Sequence, residues 1–475
     1  MRWLVVLALL AGCVHGELAR LDGTEISRSE IDRVVAREMK AGEVTGVGIA
    51  IFEHGEPVLV RAYGERDTAH HLPLTPESVM SAASLTKAAF AYLVMKLVDA
   101  HQLDLDKPIQ DYLPKPLADD PDYADLAGDP RVAKLTARML LDHTSGFANW
   151  RWLEDDHKLA FHFEPGTKFA YSGEGIELLQ RVVETITDVP LEQLMQARVF
   201  HPLGMTRTSM IWQPAFERDF ANGYDEYGTS LGPSRRTKAR AAGGMQTTLA
   251  DYAKLVSAVM RGTGLSAAAR AEMLRMQIAI DSAHEFPTLA PETSDANRKI
   301  QLGYGLGWGV YATSQGHAFF KEGHDDGWRH YVVAFDRGNG LLIMTNSSNG
   351  EGIYAALIEQ LLGNRDTPIA WEGFTPHDQL PPRPPRAQHA VHVDSATLDG
   401  YAGSYEIGGS VLVVEHVADH LTIKKNDEPP QDLLPSSDTE FFSTSSKPAI
   451  DRYTFSASGL VLHRDGQDVA IPRKP

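Results

Sequence analysis

The 475-residue chain carries a single cysteine, Cys13, so it has neither an intrachain disulfide framework nor a zinc site built on cysteine pairs. Positive charge is also scarce. With 45 basic against 63 acidic residues, the formal net charge of -18 repels phosphate backbones and argues against nucleic acid as a partner. The N-terminal apolar run, Trp3 to Leu10, is too short to cross a bilayer. No His-Glu-x-x-His occurs, which removes the commonest zinc-peptidase helix. No Gly-Lys-Ser/Thr follows the glycines at Gly303, Gly305 and Gly307, so these are not a phosphate loop. No internal repeat is visible.

What remains is an ordinary globular composition, 43% hydrophobic and 23% charged, with enough apolar residues for a large core and a length that allows more than one domain. Residues 1–16 read as a secretory signal: Arg2, the run Trp3 to Leu10, then small residues. The chain is therefore expected to be exported. The end of this segment, Leu10-Ala11-Gly12-Cys13, resembles a bacterial lipoprotein processing box, in which Cys13 becomes the acylated first residue and the only route to membrane attachment. Ordinary cleavage near Gly16, leaving a secreted or periplasmic protein, is the alternative.

Ser27 and Glu30 form a capping-box pattern ahead of Ile31, Val34, Val35 and Met39, predicting a helix. Two β-branched runs, Val47–Phe52 and Val58–Tyr63, flank the turn cluster His54-Gly55-Glu56-Pro57. A second strand pair, Tyr331–Asp336 and Leu341–Asn346, precedes an apolar helix at Ile353–Leu362. The expected fold class is α+β: one antiparallel sheet built from both ends of a domain spanning 25–370 and flanked by helices, with a mostly helical subdomain between. The proline-rich run Pro381 to Arg386 marks a linker, placed at 371–394. Short alternating segments then predict a small all-β, barrel-like domain at 395–475.

One serine in the chain has a lysine three residues later: Ser84-Leu85-Thr86-Lys87. On a helix that spacing puts both side chains on one face. Pro76 and Glu77 precede it, and the stripe Ala88, Ala89, Tyr92, Leu93 and Leu97 follows, so Ser84 falls near a helix start. There an amine can take its proton, and the helix dipole and its own amide favour an oxyanion. A serine with a solvated lysine one turn on is the bland reading of the same four residues.

Further stretches follow in order: Leu140-Leu141-Asp142-His143-Thr144-Ser145-Gly146, Phe163 through Ser172, His201-Pro202-Leu203-Gly204-Met205, Ala242-Gly243-Gly244-Met245, and Tyr304-Gly305-Leu306-Gly307-Trp308. Together with the Ser-x-x-Lys motif they make residues 25–365 resemble the class C branch of the β-lactamases and penicillin-binding proteins, with its related esterases and D-peptidases. The resemblance implies a Ser84 acyl-enzyme, with Lys87 and Tyr171 sharing the proton duties, and a substrate bearing an ester or amide bond. It implies no metal and no organic cofactor. Which of Lys87 and Tyr171 is the base stays open, because both titrate near 10 when unperturbed. His143 reads as a structural residue at a helix end.

Two departures accompany the resemblance. Where the family has Tyr-x-Asn, this chain has Tyr171-Ser172-Gly173, and Gly173 cannot offer a side-chain amide to substrate. The third motif, Lys-Thr-Gly or His-x-Gly in the family, is matched best by Gly323-His324-Asp325-Asp326-Gly327. His324 then replaces the lysine, Asp326 stands where glycine is usual, Arg329 can restore positive charge, and Gly327 is the candidate for the second oxyanion-hole amide beside Ser84. A metal cluster at His324, Asp325, Asp326 and His330 is disfavoured, since consecutive aspartates on a strand point to opposite faces. The C-terminal segment is similar to the lipocalin-like β domain appended to such hydrolases, through Leu398 to Tyr405 and Phe441-Phe442. The expectation is an exported serine hydrolase of esterase or peptidase type. The competing reading is a catalytically silent protein that binds peptidoglycan fragments or a partner in the same cleft.

Overall fold

The computed structural model describes residues 16–381, 391–426, 428–443, 452–464 and 467–474. Cys13 with its apolar run, and most of the proline-rich run, lie outside the described residues. Among the described residues no helix is long and apolar enough to cross a membrane.

Helix α1 (Arg28–Ala41) starts as its capping pattern requires, with the Ser27 hydroxyl accepting from the Glu30 amide at 3.2 Å, and buries Ile31, Val34 and Val35. Strands β1 (Gly46–Glu53) and β2 (Glu56–Asp67) form the first hairpin. The turn is tighter than the four-residue cluster suggested. Only His54 and Gly55 lie in it, both at positive φ (52° and 76°), the conformation a two-residue hairpin needs to follow strand twist. Pro57 belongs to β2, opposite Phe52 and next to a bulge at Val58 in β2.

The main sheet has nine strands. After β1 and β2 come β3 (Leu72–Pro73), β4 (Ile278–Ala279), β5 (Gly303–Tyr304), β6 (Gly309–Thr313), β7 (Gly316–Asp325), β8 (Trp328–Phe335) and β9 (Gly340–Thr345), in spatial order β4-β5-β6-β7-β8-β9-β1-β2-β3. Adjacent strands are antiparallel, and β9 pairs with β1 (Leu342 opposite Ala50), which joins the two ends of the domain. Both sheet faces are covered. Ala50, Phe52, Val332 and Leu342 face the helical subdomain, while Val47, Ile49, Val333 and Ile343 face α1 and the helix after β9. This double burial explains why the strands read as near-continuous apolar runs.

The subdomain contains α2 (Leu85–Asp99), α3 (Gly173–Thr187) and α4 (Leu249–Arg261). Every residue of α2 from Leu85 to Met95 is buried, so it is a central helix with packing on all sides, and the site at its N-terminus is held from every direction. The predicted helix over Ile353–Leu362 is present as one regular turn, Tyr354–Leu357, followed by a wider turn, Ile358–Leu362.

Trp371, Glu372 and Phe374 are buried, and both aromatic rings pack in the core of the main domain. The linker boundary at 371 is therefore too early. The C-terminal unit is an eight-stranded antiparallel meander from Gly403 to Pro472. A bridge between Tyr405 and Arg473 links its first strand to its end, giving a nearly closed barrel around Tyr405, Leu421, Leu433, Phe441 and Phe455. The barrel rests on the main domain through Leu153, which packs on the barrel core, and through the His157 imidazole, 3.0 Å from the Ala470 carbonyl. Trp152 lies under the barrel turn at Gly408.

Candidate active site

Ser84 occupies the N-cap position of α2, yet its hydroxyl makes no capping bond. Thr86 helps to tie down this turn, its hydroxyl donating to the Ala83 carbonyl at 2.6 Å. Ala83 sits at φ +46°, a left-handed conformation costly for alanine, which turns the chain sharply into the helix. The freed Ser84 Oγ accepts from Lys87 Nζ at 3.0 Å. That ammonium nitrogen also donates to the Ala242 carbonyl at 2.6 Å, and the Ala242 amide in turn donates to Glu177 Oε1 on α3 at 3.0 Å. Burial, reinforced by the nearby Lys321 charge, lowers the Lys87 pKa to about 7.

Tyr171 arrives from the loop before α3. Ser172 caps that helix, its hydroxyl accepting from the Gly175 amide at 3.1 Å and donating to the Ala148 carbonyl at 2.8 Å. His143, itself at φ +59°, grips the tyrosine on both sides. Its carbonyl accepts from the Ala170 amide at 2.9 Å, and its Nδ1 accepts from the Ser172 amide at 3.1 Å. Burial and the ammonium groups of Lys321 and Lys87 hold the imidazole pKa well below its ordinary value, so the ring is neutral and its lone pair can accept. The Tyr171 ring lies 4.9 Å from Lys87 Nζ, and Ser84 is near enough to its hydroxyl to act against the rise in its pKa. Burial and the Glu322 carboxylate push the Tyr171 pKa well above its ordinary value. Ser84 and Lys87 from one motif and Tyr171 from a second, distant one are therefore brought together.

The third motif is displaced from its expected position. Lys321, three residues before His324, reaches the Tyr171 hydroxyl with its Nζ at 3.2 Å and pairs with Glu322. The element facing the site is thus Lys321-Glu322-Gly323. Gly323 is required there: a Cβ would stand 3.0 Å from the Ala82 carbonyl oxygen and 3.1 Å from Leu85, so β7 passes directly against the start of α2. Strand β6 pairs only as far as Phe320, leaving Lys321–Asp325 as an open edge. The β7–β8 hairpin closes through Asp326-Gly327, with Asp325 opposite Trp328. Alternation of ladder bonds from that pair turns the N–H groups of Glu322 and His324 toward the open edge.

The residues assigned to this motif from sequence have other surroundings. The Gly327 amide donates to Ser348 Oγ at 3.0 Å and a Cβ there would stand 2.8 Å from Gly223, so Gly327 is a packed turn glycine with a spent amide. The His324 side chain is 45% exposed and lies 3.4 Å from Glu351. Arg329 is buried, bonded to Glu351 and to the carbonyls of Asp325 and Trp328, and does not supply charge to the cleft. Asp325 pairs with Arg236 at 2.6 Å and Asp326 is exposed at the turn. His330 is buried, its ring bonded to the Ser81 carbonyl and the Thr345 amide. A Lys-x-Gly search on the same strand would have found Lys321.

Gly173 explains itself through Trp150. A Cβ on Gly173 would stand 2.4 Å from the tip of the Trp150 indole, which fills the space an asparagine side chain would need. Trp150 stacks on Trp152 at 6.4 Å between centroids. Phe286, 45% exposed, packs edge-on against Tyr171 at 5.4 Å and adds an aromatic wall on the other side of the site.

Residues 31–362 match the family described as Beta-lactamase. The chain belongs to that family. Among relatives of the family, it is 27% identical to penicillin-binding protein 4 of Amycolatopsis lactamdurans over 394 residues, covering 77% of this chain and 94% of the relative. It is 23% identical to the protein flp of Staphylococcus aureus over 222 residues, covering 43% of that protein. Two solved structures share the fold. The octameric penicillin-binding protein homologue from Pyrococcus abyssi aligns with a TM-score of 0.59 at 20% identity, over 93% of this chain and 99% of that one. The D-alanine carboxypeptidase AmpC from Burkholderia cenocepacia aligns with a TM-score of 0.54 at 21% identity, over 68% of this chain and 94% of that one. Membership in the family supports hydrolysis of the serine type in general.

Proposed function

We propose that the protein is an exported serine hydrolase that cleaves esters or amides through a Ser84 acyl-enzyme. The observation that carries this reading is the 3.0 Å contact between Lys87 Nζ and a Ser84 hydroxyl left free of capping duty. With its pKa lowered to about 7, Lys87 is substantially neutral at neutral pH and acts as the base, whereas Tyr171, pushed upward, stays a phenol and acts as proton donor. In the acylation step the Ser84 Oγ to carbonyl carbon bond forms, the Ser84 proton passes to Lys87, and the carbonyl electron pair moves to oxygen. The Ser84 amide and the His324 amide on the open edge of β7 receive that oxyanion. Collapse breaks the bond to the alcohol or amine, which leaves with a proton relayed through Tyr171, and water then reverses the sequence to release the acid.

The surroundings favour a substrate without a free carboxylate near the scissile bond. Lys321 is already paired with Glu322, Asp325 lies at the end of the same edge, and Arg329 is turned away. Aromatic walls at Trp150 and Phe286 suit an apolar acyl group. Efficient β-lactam hydrolysis is disfavoured by the loss of the amide at Gly173.

Export, with either lipidation at Cys13 or ordinary cleavage near Gly16, remains part of this reading. Labelling with a fluorophosphonate, followed by peptide mapping and a profile of short-chain esters, D-amino-acid amides and a chromogenic cephalosporin, tests the catalytic proposal. Covalent modification of Ser84 and loss of turnover in Ser84→Ala are expected. An unlabelled, properly folded protein would point instead to the silent binder, and equal turnover by parent and Ser84→Ala would overturn the assignment.

A further inference from the structure

Beyond Tyr171, where β7 carries Lys321 and Glu322, three acidic side chains converge in the interior. Glu285, Glu322 and Glu372 are 2%, 4% and 4% exposed, and each offers an oxygen within 4.8 Å of the others. They come from separate parts of the chain: the loop after β4, the open edge of β7, and the segment following the last helix of the main domain. Glu372 Oε2 accepts from the Tyr331 hydroxyl at 2.8 Å, and Glu322 pairs with Lys321. Among the described residues, both Glu285 oxygens and Glu372 Oε1 have no hydrogen-bond partner.

A fourth group points to a missing ligand independently of the acids. Tyr304, on β5, is fully buried, and its hydroxyl also lacks a partner. The charges of all three carboxylates act on that hydroxyl, so it lies in the same buried region as they do. An orphaned buried hydroxyl and three orphaned carboxylate oxygens cost free energy unless something occupies the space between them.

Charge counting narrows what that is. Were all three carboxylates ionised with Lys321 as their paired cation, two negative charges would stand without compensation. Two bound protons or one divalent cation would close the balance. The donors are carboxylates and phenols, with no imidazole or thiol in the acidic cluster, which selects a hard ion over zinc or copper.

We propose that Glu285, Glu322 and Glu372, with the Tyr304 hydroxyl as a further donor, form a binding site for one hard divalent cation of the calcium, magnesium or manganese type. It is separate from the His324, Asp325, Asp326 and His330 grouping considered from sequence, in which His330 is committed to backbone partners. Filling it would hold the β4–β5 loop, the edge of β7 and the post-helix segment together behind the catalytic tyrosine.

The test is metal content and stability of the intact chain, so it stands apart from any assay of hydrolysis. After treatment with chelator and gel filtration, the parent protein is incubated with calcium, magnesium or manganese at about 1 mM, exchanged into metal-free buffer, and assayed by elemental analysis and thermal unfolding. One equivalent retained per chain and a raised Tm are expected for at least one of the three ions. Tyr304→Phe, which removes a hydroxyl and almost no volume, is expected to weaken binding about tenfold or more, and Glu372→Gln to abolish it. If Glu372→Gln does not fold, Tyr304→Phe decides alone. Absence of bound metal and of any Tm shift in the parent would show that protons close the balance and would overturn the site. Binding unchanged in folded Tyr304→Phe would assign the metal to surface carboxylates and overturn it equally, as would a Tm shift reproduced in full by potassium.

Discussion

His143 and Tyr171 stack at 4.4 Å between ring centroids, while the backbone on either side of the tyrosine is hydrogen-bonded to the histidine. His143 thereby fixes the residue proposed to relay the proton. His143→Phe preserves the stack but orphans the buried Ser172 amide, a loss of about 1–3 kcal/mol. A fall in kcat of about ten- to a hundredfold with little change in KM is expected, because Tyr171 is misplaced and substrate contacts are not. A merely structural loss would lower Tm and leave the kinetics of the folded fraction unchanged.

The pH profile follows from Lys87. A base works when deprotonated, so kcat/KM should rise with pH through about 7 and then level. Lys321 contributes to the lowered value by charge repulsion, so Lys321→Met should move the rising limb to higher pH while also weakening the hold on Tyr171. A limb that stays in place in Lys321→Met would show that burial alone sets the Lys87 pKa.

The oxyanion assignment separates the His324 backbone from its side chain. His324→Ala should retain activity, since the imidazole is 45% exposed and paired only with Glu351. His324→Pro deletes the N–H that faces the open edge, where proline breaks no ladder bond, and should cost about 10²–10³-fold in kcat. Equal activity in the two variants would move the oxyanion donor elsewhere.

Gly327 gives the matching negative control. Its φ of +77° and its close approach to Gly223 predict that Gly327→Ala destabilises the hairpin, seen as a lowered Tm. The acylation rate of the protein that remains folded should change little, because its amide is bound to Ser348.

Much of this arrangement was legible in the order of the residues. The apolar strand runs from both ends of the main domain, the capped first helix and the Ser84-Lys87 spacing rest on local pattern, which sequence displays directly, whereas Tyr171 was reached only through the family resemblance of the stretch that carries it. The third motif was misplaced because two glycine-containing stretches, Lys321 to Gly323 and Gly323 to Gly327, overlap on one strand. Only the packing of Gly323 against Ala82 and Leu85 distinguishes the stretch that abuts the nucleophile from the one that makes the turn. The acidic chamber had no signature at all, since Glu285, Glu322 and Glu372 lie far apart in sequence and meet only through tertiary packing. The domain boundary was set early for a similar reason. Trp371 and Phe374 look like the approach to a linker, but they bury their rings in the main core.

The collision between Trp150 and any side chain at position 173 couples the two positions. Gly173→Asn alone displaces an indole, and Trp150→Ala alone leaves a hole beside the nucleophile, so each step by itself is penalised. The carboxamide absent from this cleft is thus a property of two positions, 150 and 173, rather than of one.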